Sequence, residues 1–157
     1  HLGSNIFARV LAAQSLEVHP SILLELDHFR ILINIGEGFQ RLCLQHKIPM
    51  NYINNIFFTN FDWKHVGGLP GMLLTRSPSI GETWMYGTTE TFQLFNEINN
   101  TTNNSLGQCR TFQLNETDCF EDIRPFHLNI SAKYYHKKCH SDILTIIIFK
   151  FSKTSGK

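Results

Sequence analysis

The chain opens with alternating apolar and polar positions. Ile22, Leu24 and Leu26 share one face of residues 21–26, and Phe29, Ile31 and Ile33 repeat the spacing after Asp27-His28. This period of two predicts a β-hairpin. Residues 6–13 are apolar and predict an earlier strand that ends near Gln14-Ser15. From Gly38 the period changes. Phe39, Leu42, Cys43 and His46 fall at i, i+3, i+4 and i+7, and Pro49 ends the run, which predicts a helix. Residues 55–59 read as a short buried strand around Ile56, Phe57 and Phe58, followed by a polar, aromatic loop and a second helix through Leu69, Met72 and Leu73. Residues 83–87 predict another strand, and 90–98 a helix with Phe92 and Phe95 inward. Residues 99–107 are low-complexity Asn/Thr/Ser and read as a surface loop or insertion. Residues 111–114 and 143–151 are the last strand candidates, and the stretch between them, with His127, His136 and His140, reads as irregular. The alternation of strands and helices implies a layered α/β sheet.

Composition narrows the class without giving a function. A chain of 157 residues with 42% hydrophobic residues is long enough for one domain with a core. Its formal net charge is +1 and only 17% of residues are charged, so charge alone gives no argument for nucleic-acid binding. The longest apolar run, residues 143–149, falls short of the ~20 residues that cross a bilayer, so no membrane association is expected. No charged-then-apolar leader opens the chain, which starts at His1 without a methionine and stops at Lys157; a fragment is expected. Cys43, Cys109, Cys119 and Cys139 show no CxxC spacing and read as free thiols. The sequons at Asn99, Asn100, Asn103, Asn115 and Asn129 read as accidental in an Asn-rich chain.

Two glycine-rich segments carry the chemistry. Gly36-Glu37-Gly38 lies between a predicted strand and helix, and Gly67-Gly68-Leu69-Pro70-Gly71 lies at the entry to the next helix. Either alone is readily only a turn. Together, Asn34-Ile35-Gly36-Glu37-Gly38-Phe39-Gln40-Arg41 resembles the tRNase Z signature DxGEGTQR, and the run from Ile56 to Met72 resembles the strand and metal loop that follow it, ending in GGLPGM. The resemblance covers residues 6–87 and returns weakly at 142–153. It implies the metallo-β-lactamase superfamily and a four-layer αββα sandwich of the α/β class, here truncated, with residues 1–157 a partial domain.

The metal loop departs from that family. Active members carry THxHxDH, whose histidines and aspartate hold two zinc ions that activate water against a phosphodiester. This chain reads Thr59-Asn60-Phe61-Asp62-Trp63-Lys64-His65, with Asn60 and Asp62 replacing histidines, Lys64 replacing the aspartate, and only His65 matching. An amide oxygen is a poor zinc ligand, and an ammonium group repels a dication. No metal ligand set and no catalytic residue are therefore expected here.

A kept scaffold with lost ligands resembles the amino-terminal, non-catalytic half of long-form tRNase Z. That resemblance implies a partner in the carboxy-terminal catalytic half, which holds the zinc; a substrate in precursor tRNA; and action in the nucleus, the mitochondrion or both. The alternatives are a divergent single-half metallohydrolase using Asp62 and His65, and a secreted binding domain with two disulfides. His136, Cys139 and His140 match no standard zinc spacing and read as a surface cluster, and the Lys-rich tail as a solvated face. Trp63 is able to stack on a base, but packing is the expectation beside a buried loop.

Overall fold

The computed structural model describes residues 6–11, 21–26, 29–75, 83–101, 109–113, 121–127, 130–139 and 142–151. They fall into two compact units, His1–Gln113 and Leu114–Lys157.

The first unit is built on six strands, β1 (Ile6–Leu11), β2 (Ser21–Leu26), β3 (Phe29–Ile33), β4 (Ile53–Phe57), β5 (Thr83–Gly87) and β6 (Cys109–Gln113). They lie side by side in sequence order. β1, β2 and β3 pair antiparallel, as the predicted hairpin requires, and β3 through β6 pair in parallel. Parallel neighbours need crossover connections, and helices provide them. α1 (Phe39–Gln45) and the short α2 (Trp63–Val66) and α3 (Leu69–Thr75) sit between the inner strands, with α4 (Thr89–Thr101) between β5 and β6.

Leu23, Leu32, Ile56 and Met85 present one sheet face to Phe39, Leu42 and Cys43 of α1, Leu69 and Met72 of α3, and Phe95 of α4, forming one buried apolar cluster. The helix predicted from Phe39, Leu42 and Cys43 therefore has the expected phase. His46, the fourth position of that pattern, is instead the exposed C-cap of α1. The chain turns there through Lys47 at φ 54°, and the Ile48 N–H donates to the Cys43 carbonyl at 2.8 Å, closing the helix end.

β4 is irregular in a useful way. Its pairing with β3 passes from Arg30↔Ile53 to Ile31↔Asn55, leaving Asn54 as an extra residue. Ile53 and Ile56 can thus both reach the helix-side cluster, while Phe57 is buried on the opposite face and stacks on Tyr86, with ring centroids 4.3 Å apart. At the far end of the antiparallel strands Glu25 pairs with Arg9 (2.9 Å) and Arg30 (3.1 Å), and the Arg30 guanidinium lies 5.6 Å from the Tyr52 ring centre.

Three expectations need correction. α4 extends through Thr101, so the Asn-rich run expected as a loop from Asn99 begins as helix; residues 102–108 lie outside the described residues. Tertiary support from the buried Thr91 and Phe95 overrides the weak helix propensity of Asn and Thr. Phe92, expected inward, is only half-buried, because the buried positions are Thr91 and Phe95. The stretch expected to be irregular before residue 143 contains two strands.

Those strands belong to the second unit, where β7 (Glu121–His127), β8 (Ile130–Cys139) and β9 (Asp142–Phe151) form an antiparallel meander. β8 sets Lys133, Lys137 and Lys138 beside Ile148, Leu144 and Ile143 of β9. Its polar composition hides a period-two signal, and the cross-strand partners in β9 supply the β preference. His136 and Cys139 lie in β8, and no described side chain bears on the proposed surface cluster; His140 lies outside the described residues. Among the described residues no helix is long and apolar enough to cross a membrane.

Candidate functional site

The two glycine-rich segments meet at the carboxyl ends of β3 and β4. Asn34 leaves β3 in the left-handed region, at φ 60°, a conformation that asparagine tolerates better than most residues. Its side chain reaches the end of β4. The Thr59 N–H donates to Asn34 Oδ1 at 2.9 Å, and Asn34 Nδ2 donates to Thr59 Oγ1 at 2.9 Å. Backbone bonds complete the seam, with Ile35 N–H donating to the His65 carbonyl at 2.8 Å and Gly68 N–H to the Ile35 carbonyl at 2.9 Å.

Gly36-Glu37-Gly38 makes the turn into α1. Gly38 is the N-cap at φ 78°, Glu37 is exposed, and the buried Gly36 N–H donates to Ser21 Oγ at 3.2 Å. In the second segment Gly67 and Gly68 separate α2 from α3, and Pro70 lies in the first turn of α3, where a missing N–H costs nothing. Gly71 faces Gln40, whose Nε2 donates to the Gly71 carbonyl and to Thr75 Oγ1, tying α1 to α3.

Between these segments the altered metal-loop residues bond to one another. Asp62 is the N-cap of α2, and its Oδ1 accepts from the His65 N–H at 3.1 Å and lies 2.5 Å from His65 Nδ1. Asn60 Nδ2 donates to Asp62 Oδ2 at 3.4 Å, and Asn60 Oδ1 accepts from the Phe61 N–H at 2.7 Å. Lys64 is exposed. The loop thus brings Asn60, Asp62 and His65 together, but both carboxylate oxygens of Asp62 already serve its neighbours. An amide and a cation at the other two ligand positions do not fit a zinc pair.

Trp63 reverses the packing expectation. It is 59% exposed, with Phe61 at 38% two residues before it. Ser21 and Thr59 join the site through bonds that the sequence does not announce. Both are ordinary polar residues at strand ends, and no local pattern marks them as partners of a loop elsewhere in the chain.

Comparison with known proteins places this geometry. A family profile described as tRNase Z endonuclease matches residues 9–68. The chain is 44% identical over 66 residues to the mitochondrial tRNase Z TRZ4 of Arabidopsis thaliana, a match covering 42% of this chain and 7% of that protein. It is 39% identical over 72 residues to human zinc phosphodiesterase ELAC protein 2, covering 46% of this chain and 9% of that protein. The matched region is therefore less than a tenth of the length of either relative. Among solved structures, the short form of human tRNase Z (ELAC1) superposes with a TM-score of 0.70 at 17% identity, covering 95% of this chain and 69% of that one. The metallo-β-lactamase fold protein YhfI of Bacillus subtilis gives 0.63 at 9% identity, covering 92% and 54%. The chain is related through residues 9–68 to the tRNase Z endonuclease family, and its fold is the α/β metallo-β-lactamase fold.

Proposed function

We propose that this chain is a non-catalytic, amino-terminal part of a tRNA 3′-processing endonuclease of the tRNase Z type, supporting a zinc-bearing catalytic half and helping to position precursor tRNA. The supporting observation is the redeployment of Asp62, which caps α2 and binds His65 where the family's metal loop would hold a ligand. The two loops are joined by a hydrogen-bonded seam, while the residue types of the metal loop depart from the family motif. Action on tRNA follows from the names of the relatives, and one of them, TRZ4, is named as mitochondrial. Mitochondrion, nucleus or both are proposed as the compartment.

Elemental analysis of the purified chain is expected to find no stoichiometric zinc, and the chain alone is expected to leave precursor tRNA uncut. In the full-length protein His65→Ala should change cleavage only as far as it changes stability. Zinc at one or two equivalents, together with cleavage lost in His65→Ala at an unchanged melting temperature, overturns the proposal.

A further inference from the structure

We infer that the loop from Phe61 to Lys64 is a stacking platform for unpaired RNA bases, an assignment that rests on the tRNA reading above and adds a contact site to it. Trp63 is the largest side chain in the loop, yet it is more than half exposed. Gly67 explains how it is held. A Cβ at Gly67 would fall 2.9 Å from Trp63 Cε2 and 3.0 Å from Nε1, so the indole rests against bare backbone, supported on one side while most of its surface meets solvent. A ring fixed in this way loses little freedom when a flat ligand stacks on it.

The neighbours favour a nucleotide over a protein. Asp62 and Lys64 alternate with Phe61 and Trp63, and all four are exposed. The buried centre of a protein interface is depleted in charged residues. Aromatic rings interleaved with a cation suit a ligand with flat bases and an anionic backbone. The negative charge of Asp62 is engaged by the His65 N–H and ring and by Asn60, and the exposed Lys64 ammonium is the cation set to meet a phosphate. With a net charge of only +1 the binding is expected to rest mainly on stacking, with Lys64 as the local cation.

The test uses a fluorescein-labelled oligo(A) RNA of about twelve nucleotides, within the length that single-strand sites cover. The parent chain is expected to bind it, Trp63→Ala to weaken binding about tenfold, and Trp63→Tyr to stay within about twofold. Lys64→Ala should flatten the salt dependence. The chain has two tryptophans, so in Trp84→Phe the remaining fluorescence reports Trp63 alone, and oligo(A) should quench it. This second reading holds even where Trp63→Ala lowers the melting temperature. Absence of binding by the parent chain, equal binding by Trp63→Ala at an unchanged melting temperature, or no quenching in Trp84→Phe overturns the inference. So does a Trp63→Ala chain whose only change is in association with another protein. Normal precursor-tRNA cleavage by full-length protein carrying Trp63→Ala, with no quenching, removes the platform and leaves the family reading standing.

Discussion

The carbonyl oxygen of Gly36 lies 2.2 Å from the point at which a side chain on Gly68 would begin. The same Cβ would stand 2.7 Å from Ile35 Cγ2. The two loops that carry the family signature therefore touch backbone to backbone, and the contact cannot yield because Ile35 and Gly68 are also joined by a hydrogen bond. Gly68→Ala should cost about 3 kcal/mol or more by overpacking. Gly38→Ala meets no atom within 4 Å but must hold φ 78°, and should cost only about 1–2 kcal/mol. Urea denaturation of both variants checks this. Equal losses would mean that the loops are not in contact as described.

Asn34 offers a second contrast. Asn34→Ala removes the acceptor of the buried-side Thr59 N–H and leaves alanine at φ 60°, so a loss of about 2–3 kcal/mol is expected. Asn34→Asp keeps the acceptor, and the Thr59 hydroxyl can turn to donate to the carboxylate, so the loss should stay below about 1 kcal/mol. Aspartate is also the residue in the family signature at this position. Thermal melting of the two variants side by side decides the point, and an aspartate as damaging as alanine would contradict the clamp.

Burial pushes the Cys43 thiol from an ordinary 9.0 up to about 11. The unfolded chain releases this proton at lower pH than the folded one, so the contribution is complete below about pH 9 and is lost as pH rises through about 11. About 2–3 kcal/mol of stability should disappear across that window. Burial raises the Tyr86 phenol in the same direction. Urea midpoints at pH 8 and 10.5 should fall more in the parent than in Cys43→Ala, whose baseline stability is already lower. Parallel slopes would assign the alkaline loss to other groups.

Much of the first unit could be read from the sequence because its elements are locally periodic. α1 buries one regular set, with Leu42 and Cys43 at the positions its period assigns. β3 and β5 instead bury neighbours on both faces, Ile31 with Leu32 and Met85 with Tyr86, and in β2 the fully buried apolar residue is Leu23 rather than Ile22 or Leu24. The start of β4 was not visible, because the extra Asn54 breaks the alternation that identifies a strand. β8 escapes the periodicity for a different reason. Its lysines and histidine take strand structure from pairing with β7 and with the apolar β9, partners that lie elsewhere in the chain. At the candidate site the motif shows which residue types stand at 59–65, but the partners of Asp62 and the exposure of Trp63 depend on a helix cap and on the ring resting against Gly67.

The Asp62 cap also ties the residues of the loop to one another. Histidine at position 62 would remove the carboxylate that caps α2 and meets the His65 ring, leaving the His65 N–H its bond to the position-62 carbonyl at 3.0 Å. A change at Asp62 alone is therefore expected to lower stability through the lost cap. The loop behaves as an interlock: Asn60, Asp62 and His65 hold one another, so replacing any one of them disturbs the setting of the other two.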